Sequence, residues 1–487
     1  MRPFAPVILL LLLTACGGGG GAHLPVAKGG GNQSPVRTGS PANLAVKPYL
    51  QLGDAPASYD RLDLLWHAPD GQDGWAVEVR TDPQGAWRRM AAPTSTLVTV
   101  QGAHPVPPHR VWRAALAPLA PGGTFDYRVL QHGTEVFLQT GARARKAPEQ
   151  PQRIVVVGDL AEGTPMSRAI AFRIQAQKAD LMVGAGDLVY QNGTVAEYRS
   201  RFFPTYNADQ DDPNVGAPIM RGTLMVGVLG NHDVAQADRD NVLPRDTLAY
   251  YYYWDQPLDG PDLLPGGHIP NLVPQQDWAP FRAAAGKRFP RMGNFTFRSG
   301  DVHWTVLDSN LYVHWQDKDV RRWLKKELQK AQDATWRFVV FHHAAFSLAS
   351  FRHTRQWHMR QLWPIFQKYN VDLVFAAHLH TYQRTAPFRF TPTPRGVTDA
   401  QHCAQEANIV PEPPSTAARP PWPTAPSTSS PAPAAGSCIP RRLRRCGRPT
   451  TGAWWAAPSA SRCWRSTAGG WTSGRWMNRG TRWIRSP

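Results

Sequence analysis

Residues 376–385 read AAHLHTYQRT, with two histidines one residue apart where the apolar run VDLVFA (371–376) ends. Four upstream apolar runs stop in the same way. RIVVV stops at Gly158-Asp159, LMVGA at Gly186-Asp187-Leu188-Val189-Tyr190, LMVGVL at Gly230-Asn231-His232-Asp233, and RFVVF at His342-His343. Such runs, alternating with amphipathic stretches, predict an α/β domain over residues 151–395. Val320, Trp323, Leu324 and Leu328 mark one helical stripe, and TRQWHMRQLWPIFQKYN (354–370) predicts another helix. In open α/β sheets the carboxyl ends of strands gather loops on one edge, so the five polar clusters are expected to meet.

Side chains at alternate positions of an extended segment project to one side. His378 and His380 therefore present two imidazoles together, yet they do not easily chelate a single ion. Two neighbouring ions suit the set better. Asp187 can bridge them, Asp159 and Tyr190 offer anionic oxygens, and Asn231 offers a neutral amide oxygen. Hard oxygen plus imidazole, with no thiolate in the domain, favours iron, manganese or zinc. Taken singly, each residue has a plainer reading: Asp159 and Asp187 as turn residues beside glycine, Asn231 and His232 as a turn and a surface imidazole, Tyr190 as a core ring. Their joint occurrence at strand ends argues for a metal centre.

These motifs together resemble the calcineurin-like metallophosphoesterase superfamily, and the tyrosine of GDLVY is similar to that of its purple acid phosphatases. The resemblance covers Leu44 to about Arg384. It includes PYLQL (48–52) and GNFTFRSGDVHWTVLDSN (293–310), which look like the family's entry into a β-sandwich and its central strand hairpin. It implies a four-layer αββα catalytic sandwich. Asp159, Tyr190 and His380 would hold a first ion, Asn231, His342 and His378 a second, with Asp187 between them. The implied pair is Fe(III) plus divalent zinc, manganese or iron. The implied activity is that of an acid phosphatase, a hydrolase that cleaves phosphate monoesters with an activated water and no covalent intermediate. Asp187 and His232 would be catalytic, and His232 would also face the substrate. His343 has three readings: it orients a ligand, replaces the family's residue in substrate contact, or is packed. A phosphodiesterase using the same site is the alternative activity. Two departures stand out. The first motif is GDLAEG, with its second glycine two residues late, and Ala377 replaces a glycine, which disfavours positive φ.

Outside this domain, MRPFAPVILLLLLTAC resembles a bacterial lipoprotein signal (1–16), cut before Cys16, which would then carry lipid. That implies an exported protein, anchored in the bacterial cell envelope at the periplasmic or outer surface. Residues 17–43, rich in Gly, Pro and Ser, read as a flexible linker. Residues 44–145 hold short runs such as RLDLLWHA, GWAVEVRT and TFDYRVLQ between turn residues, predicting an all-β, fibronectin III-like sandwich. KAPEQPQ (146–152) reads as the link to the α/β domain, and YYYYW (250–254) as packing.

Lys+Arg 54 against Asp+Glu 36 gives +18 over 487 residues. About +11 of this sits in residues 411–487, which hold twelve Arg, no Lys and one acid. The body is only mildly basic, and no specific nucleic-acid partner is expected. The tail shows no helical or strand period and is predicted to be of low order. Its Arg, Pro, Ala, Ser and Trp excess reads as a frameshifted high-GC coding sequence. A family member would continue there with strands that complete a sheet. A catalytically inactive remnant or binding protein is thus the reading from a different class.

Overall fold

The computed structural model describes residues 8–11, 44–100, 105–235, 246–263, 272–273, 275–347, 358–392, 407–411, 462–467 and 470–475. Cys16, the linker 17–43 and most of the tail 411–487 lie outside these described residues. One compact unit holds the described residues up to Tyr382, and a second holds a hairpin within the tail. That hairpin pairs Arg462–Thr467 antiparallel with Gly470–Arg475. Strand pairing is present where the sequence shows no strand period. The two segments are two residues apart, the spacing of a tight hairpin.

The first described element is a short strand, β1 (Ile8–Leu11). Strands β2 (Val46–Gln51), β3 (Leu62–Pro69), β4 (Trp75–Arg80), β5 (Arg88–Arg89), β6 (Thr94–Val98), β7 (His109–Leu116), β8 (Thr124–Gln131) and β9 (Thr134–Arg143) follow. They pair antiparallel in two sheets, ordered β2-β3-β7-β6 and β5-β4-β8-β9. Leu62, Leu64, Trp66 and Ala68 share one face of β3 and join a core cluster with Val77, Val79, Tyr127 and Val129. The opposite face carries Leu65 and His67, which are also buried. The short helix Tyr250–Tyr253 covers that face. Tyr49 donates its hydroxyl to the Tyr253 carbonyl at 2.8 Å, the Tyr253 hydroxyl lies 2.9 Å from His109 Nε2, and Arg113 pairs with Asp255 at 3.1 Å. The YYYYW run is therefore packing, buried throughout.

The connecting segment is tied down as well. Gln152 donates from Nε2 to the Ser299 carbonyl at 2.7 Å and accepts from the Ser299 hydroxyl at 2.9 Å. Beyond it, β10 (Arg153–Val157), β11 (Leu181–Gly184) and β12 (Leu224–Gly227) form a parallel sheet. β1 adds to its edge in parallel, Ile8 opposite Arg153 and Leu11 opposite Val156. Residues 8–11 of the run read as a leader form an edge strand here. β10 would otherwise present open N–H and C=O groups, which a short apolar segment can satisfy.

A second sheet holds β13 (Phe295–Ser299) antiparallel to β14 (Val302–Val306), then β15 (Trp336–His343) and β16 (Leu373–Ala377) in parallel. Alternation decides what each face meets. Ile154, Val156, Leu181, Val183, Leu224 and Val226 share a core with Phe297, Trp304, Phe338 and Val340 of the second sheet. Their neighbours Val155, Met182, Met225, Val339 and Phe341 cluster instead with helix residues. Three of the helices among the described residues are α1 (Pro165–Gln175), α2 (Lys318–Lys330) and α3 (Trp363–Lys368). Thr164 caps α1 by accepting from Ser167 N, and Asp317 caps α2 by accepting from Asp319 N and Val320 N. Of the helix expected over 354–370, the described residues form a 3-10 turn at His358–Leu362 followed by α3. Pro364 explains this, since it lacks an N–H and is tolerated only in a first turn. Among the described residues no helix is long and apolar enough to cross a membrane.

Candidate metal centre

The strand ends bring the candidate ligands together. β10 leads to Asp159, β11 to Asp187 and Tyr190, and β12 to Asn231 and His232; β15 contains His342 and His343, and β16 leads to His378 and His380. Two glycines are required by close approach. A Cβ on Gly186 would stand 2.4 Å from His342 Nδ1, and one on Gly158 would stand 2.4 Å from the Ala377 methyl. Ala377 lies within β16 at negative φ, so its methyl is accommodated against Gly158. Positive φ falls instead on Asp159 (57°), Asp187 (50°), His378 (72°) and His380 (45°). Left-handed backbone at non-glycine residues costs about 1–3 kcal/mol each and clusters at functional sites. The late glycine of GDLAEG, Gly163, takes φ 84°, while Ala161 bridges Val189 and leaves Asp159 in place.

The side chains form two sets. Tyr190 Oη, Asp159 Oδ1 and His380 Nε2 lie 3.0 Å from one another. In the second set, Asp187 Oδ2 is 3.1 Å from His342 Nε2, which is 3.2 Å from His378 Nδ1. One ligand atom from each of Asp187, His342 and His378 lies within 4.8 Å of the others. Asn231 Oδ1 is buried without a hydrogen-bond partner among the described residues. An octahedral ion with ligands at about 2.1 Å holds neighbouring ligand atoms about 3.0 Å apart, so the first set has the spacing of one face of such an ion. The donors therefore fit hard metal ions.

Electrostatics point the same way. Burial, then Asp159 and Asp187, push the Tyr190 phenol far above its ordinary value. A cation among these groups would reverse that sign. Burial would raise Asp187, but His342 and His232 outweigh it and hold the carboxyl down. Burial would lower His342, but Asp187 and Asp159 hold it up. Asp159 and Asp187 each act on both Tyr190 and His342.

Residues 151–382 match the family profile described as Calcineurin-like phosphoesterase. The chain carries a calcineurin-like phosphoesterase domain. That family implies phosphoester hydrolysis and a metal centre. Two proteins of Mycobacterium tuberculosis, from strains CDC 1551 / Oshkosh and ATCC 25618 / H37Rv and both named uncharacterized, are 26% identical over 361 residues. The match covers 70% of this chain and 62% of each relative, so the chain spans under two thirds of their length. Purple acid phosphatase 23 of Arabidopsis thaliana is 31% identical over 94 residues, 18% of this chain and 20% of that protein.

Within the phosphoesterase domain, His232 lies at the edge of the centre. Its Nδ1 is 2.7 Å from the Gln191 carbonyl, its ring is 4.5 Å from that of Tyr190, and its Nε2 is 4.0 Å from Asp187 Oδ2. His343 is wholly buried, with its ring centroid 4.6 Å from that of His378. Sequence reasoning assigned no role to Asp233. Its carboxylate accepts from Leu188 N at 3.0 Å, Val189 N at 3.4 Å and Gly230 N at 2.8 Å, cross-linking the loops that carry Asp187 and Asn231. Ser309 was passed over too, although HWTVLDSN ends on polar residues as the five runs that carry the candidate ligands do.

Proposed function

We propose that this chain is an acid phosphatase that hydrolyses phosphate monoesters at a binuclear centre of Fe(III) and divalent zinc, manganese or iron. The observation that carries this reading is the phenol of Tyr190, whose oxygen is 3.0 Å from both Asp159 Oδ1 and His380 Nε2. A phenol, with an ordinary pKa of about 10, becomes an anionic ligand only beside a strongly charged hard cation. The name of the Arabidopsis relative points the same way. Asp159, Tyr190 and His380 would hold the first ion, Asn231, His342 and His378 the second, with Asp187 between them. When bound, the ions supply activation of water and positive charge for the phosphate.

The chain's own groups do the rest. His342 donates Nδ1–H to the Ala185 carbonyl at 3.0 Å, which leaves Nε2 turned to Asp187 as a ligand atom. Asp187 Oδ1 accepts from His232 N at 2.8 Å and fixes that loop. His232 donates Nδ1–H to Gln191, so in the imidazolium form the second proton sits on Nε2, the atom that would offer it to the leaving oxygen. The burial of His343 behind the His378 ring favours the reading in which it orients a ligand.

The test compares p-nitrophenyl phosphate with bis-p-nitrophenyl phosphate on ion-loaded protein. Faster monoester turnover, with visible tyrosinate-to-iron absorption, is expected. Faster diester cleavage would make the chain a phosphodiesterase. Two bound ions without turnover of either would make it an inactive remnant or binding protein.

Further inferences concern the flanks. The N-terminal module is read as fibronectin III-like, supported by its two four-stranded antiparallel sheets. The chain is read as exported and membrane-anchored through Cys16, supported by the apolar run before it. Labelled palmitate should enter the wild type but not Cys16→Ala. Cleavage before Cys16 would remove β1 and leave the β10 edge open.

A further inference from the structure

The end of β15 departs from the regular ladder between Val340 and His343. There, a single hydroxyl receives two backbone donors. Ser309 Oγ accepts from His342 N at 3.1 Å and from His343 N at 2.9 Å, and it also lies 2.9 Å from His343 Nδ1. A hydroxyl has one proton and two lone pairs. Both lone pairs are taken by the backbone donors, so the proton goes to His343 Nδ1. A neutral His343 then carries its own proton on Nε2. That atom is buried with no hydrogen-bond partner among the described residues, and the ring sits against the His378 ring. The Ser309 carbonyl accepts from His358 Nε2 at 2.6 Å, which ties the same residue to the 3-10 turn. Ser309 itself is fully buried.

We propose that Ser309 is a positioning residue for the second ligand set: its hydroxyl sets the backbone of the His342–His343 bulge and fixes the tautomer of His343, which supports the His378 ring. The proposal rests on the assignment of His342 and His378 to the second ion. It leaves the first set untouched, since Asp159, Tyr190 and His380 make no contact with Ser309 among the hydrogen bonds of that residue.

The test titrates zinc or manganese into the iron-loaded protein. Ser309→Ala should weaken the second ion about 10- to 100-fold, the range for loss of a group that orients a ligand. The tyrosinate-to-iron absorption should be retained. Ser309→Cys, which keeps a weak donor and acceptor, should recover part of the affinity. Nitrogen NMR of the histidines in the metal-free protein gives a second readout. The wild type should show His343 protonated at Nε2, with this preference lost in Ser309→Ala. Equal affinity of wild type and Ser309→Ala for the second ion would overturn the proposal, as would His343 protonated at Nδ1 in the wild type. Should Ser309→Ala not fold, the wild-type NMR decides alone. A wild type that binds fewer than two ions would instead sink the binuclear reading, a failure visible before any variant is made.

Discussion

Replacing His303 with leucine should make the protein less sensitive to acid. His303 lies within β14, only 4% exposed, and neither ring nitrogen has a hydrogen-bond partner among the described residues. Burial, reinforced by Arg298, pushes the imidazole down to about 4 from its ordinary 6.5. The folded-state value lies below the unfolded one. Stability is therefore intact above pH 6.5 and falls as the pH drops toward 4, because the unfolded chain takes up a proton that the folded chain refuses. A gap of about 2.5 units corresponds to about 3.4 kcal/mol in full, of which about 2 kcal/mol is already lost at pH 5. Stabilities of ordinary domains are only about 5–15 kcal/mol, so one such residue matters to an enzyme read as working in acid. His303→Leu also removes two unsatisfied polar atoms, and should be neutral or stabilising at pH 7. Urea unfolding of wild type and variant at pH 7 and pH 5 measures both effects. The variant's advantage should grow by about 2 kcal/mol between the two pH values. An advantage that stays constant to within about 0.5 kcal/mol would refute the reasoning, since a buried imidazole that titrates normally has no such linkage.

Three other outcomes follow from the centre. Tyr190→Phe should abolish the visible absorption of the iron-loaded protein and weaken the first ion at least about 10-fold, read by metal analysis after dialysis. His232→Ala should retain both ions yet lower kcat by about 10²–10⁴, the usual contribution of a positioned proton donor. Asp233→Ala orphans three buried N–H groups at about 1–3 kcal/mol each, so urea unfolding should show a loss of about 3 kcal/mol or more and both ions should bind more weakly.

The five strand ends that carry the candidate ligands stand out in the sequence because each is an apolar run closed by a polar residue, a pattern set by local burial alone. Other features were not legible. Nothing in the residue names marks Asp159, Asp187, His378 and His380 for left-handed backbone, because the surrounding packing imposes it. The Ala377 methyl looked unfavourable only as long as Gly158, more than two hundred residues earlier, was not seen opposite it. Ser309 is not among the candidate ligands, so a search for ligands passes over it even though its strand end obeys the rule. Pro364 was a visible breaker inside the expected helix, and the apolar stripe around it outweighed it in that reading. The pairing of β1 with β10 depends on an edge left open by the rest of the sheet, which no local pattern reports.

The tyrosine helix at 250–253 carries a consequence for how the chain can be divided. Tyr49, His67, His109 and Arg113 from one module interlock with Tyr253, Tyr252 and Asp255 from the other. A catalytic fragment beginning at residue 146 would wet this aromatic seam and tend to self-associate. The two modules should accordingly melt in one calorimetric endotherm, and transplanting either into a foreign protein would require the other to travel with it.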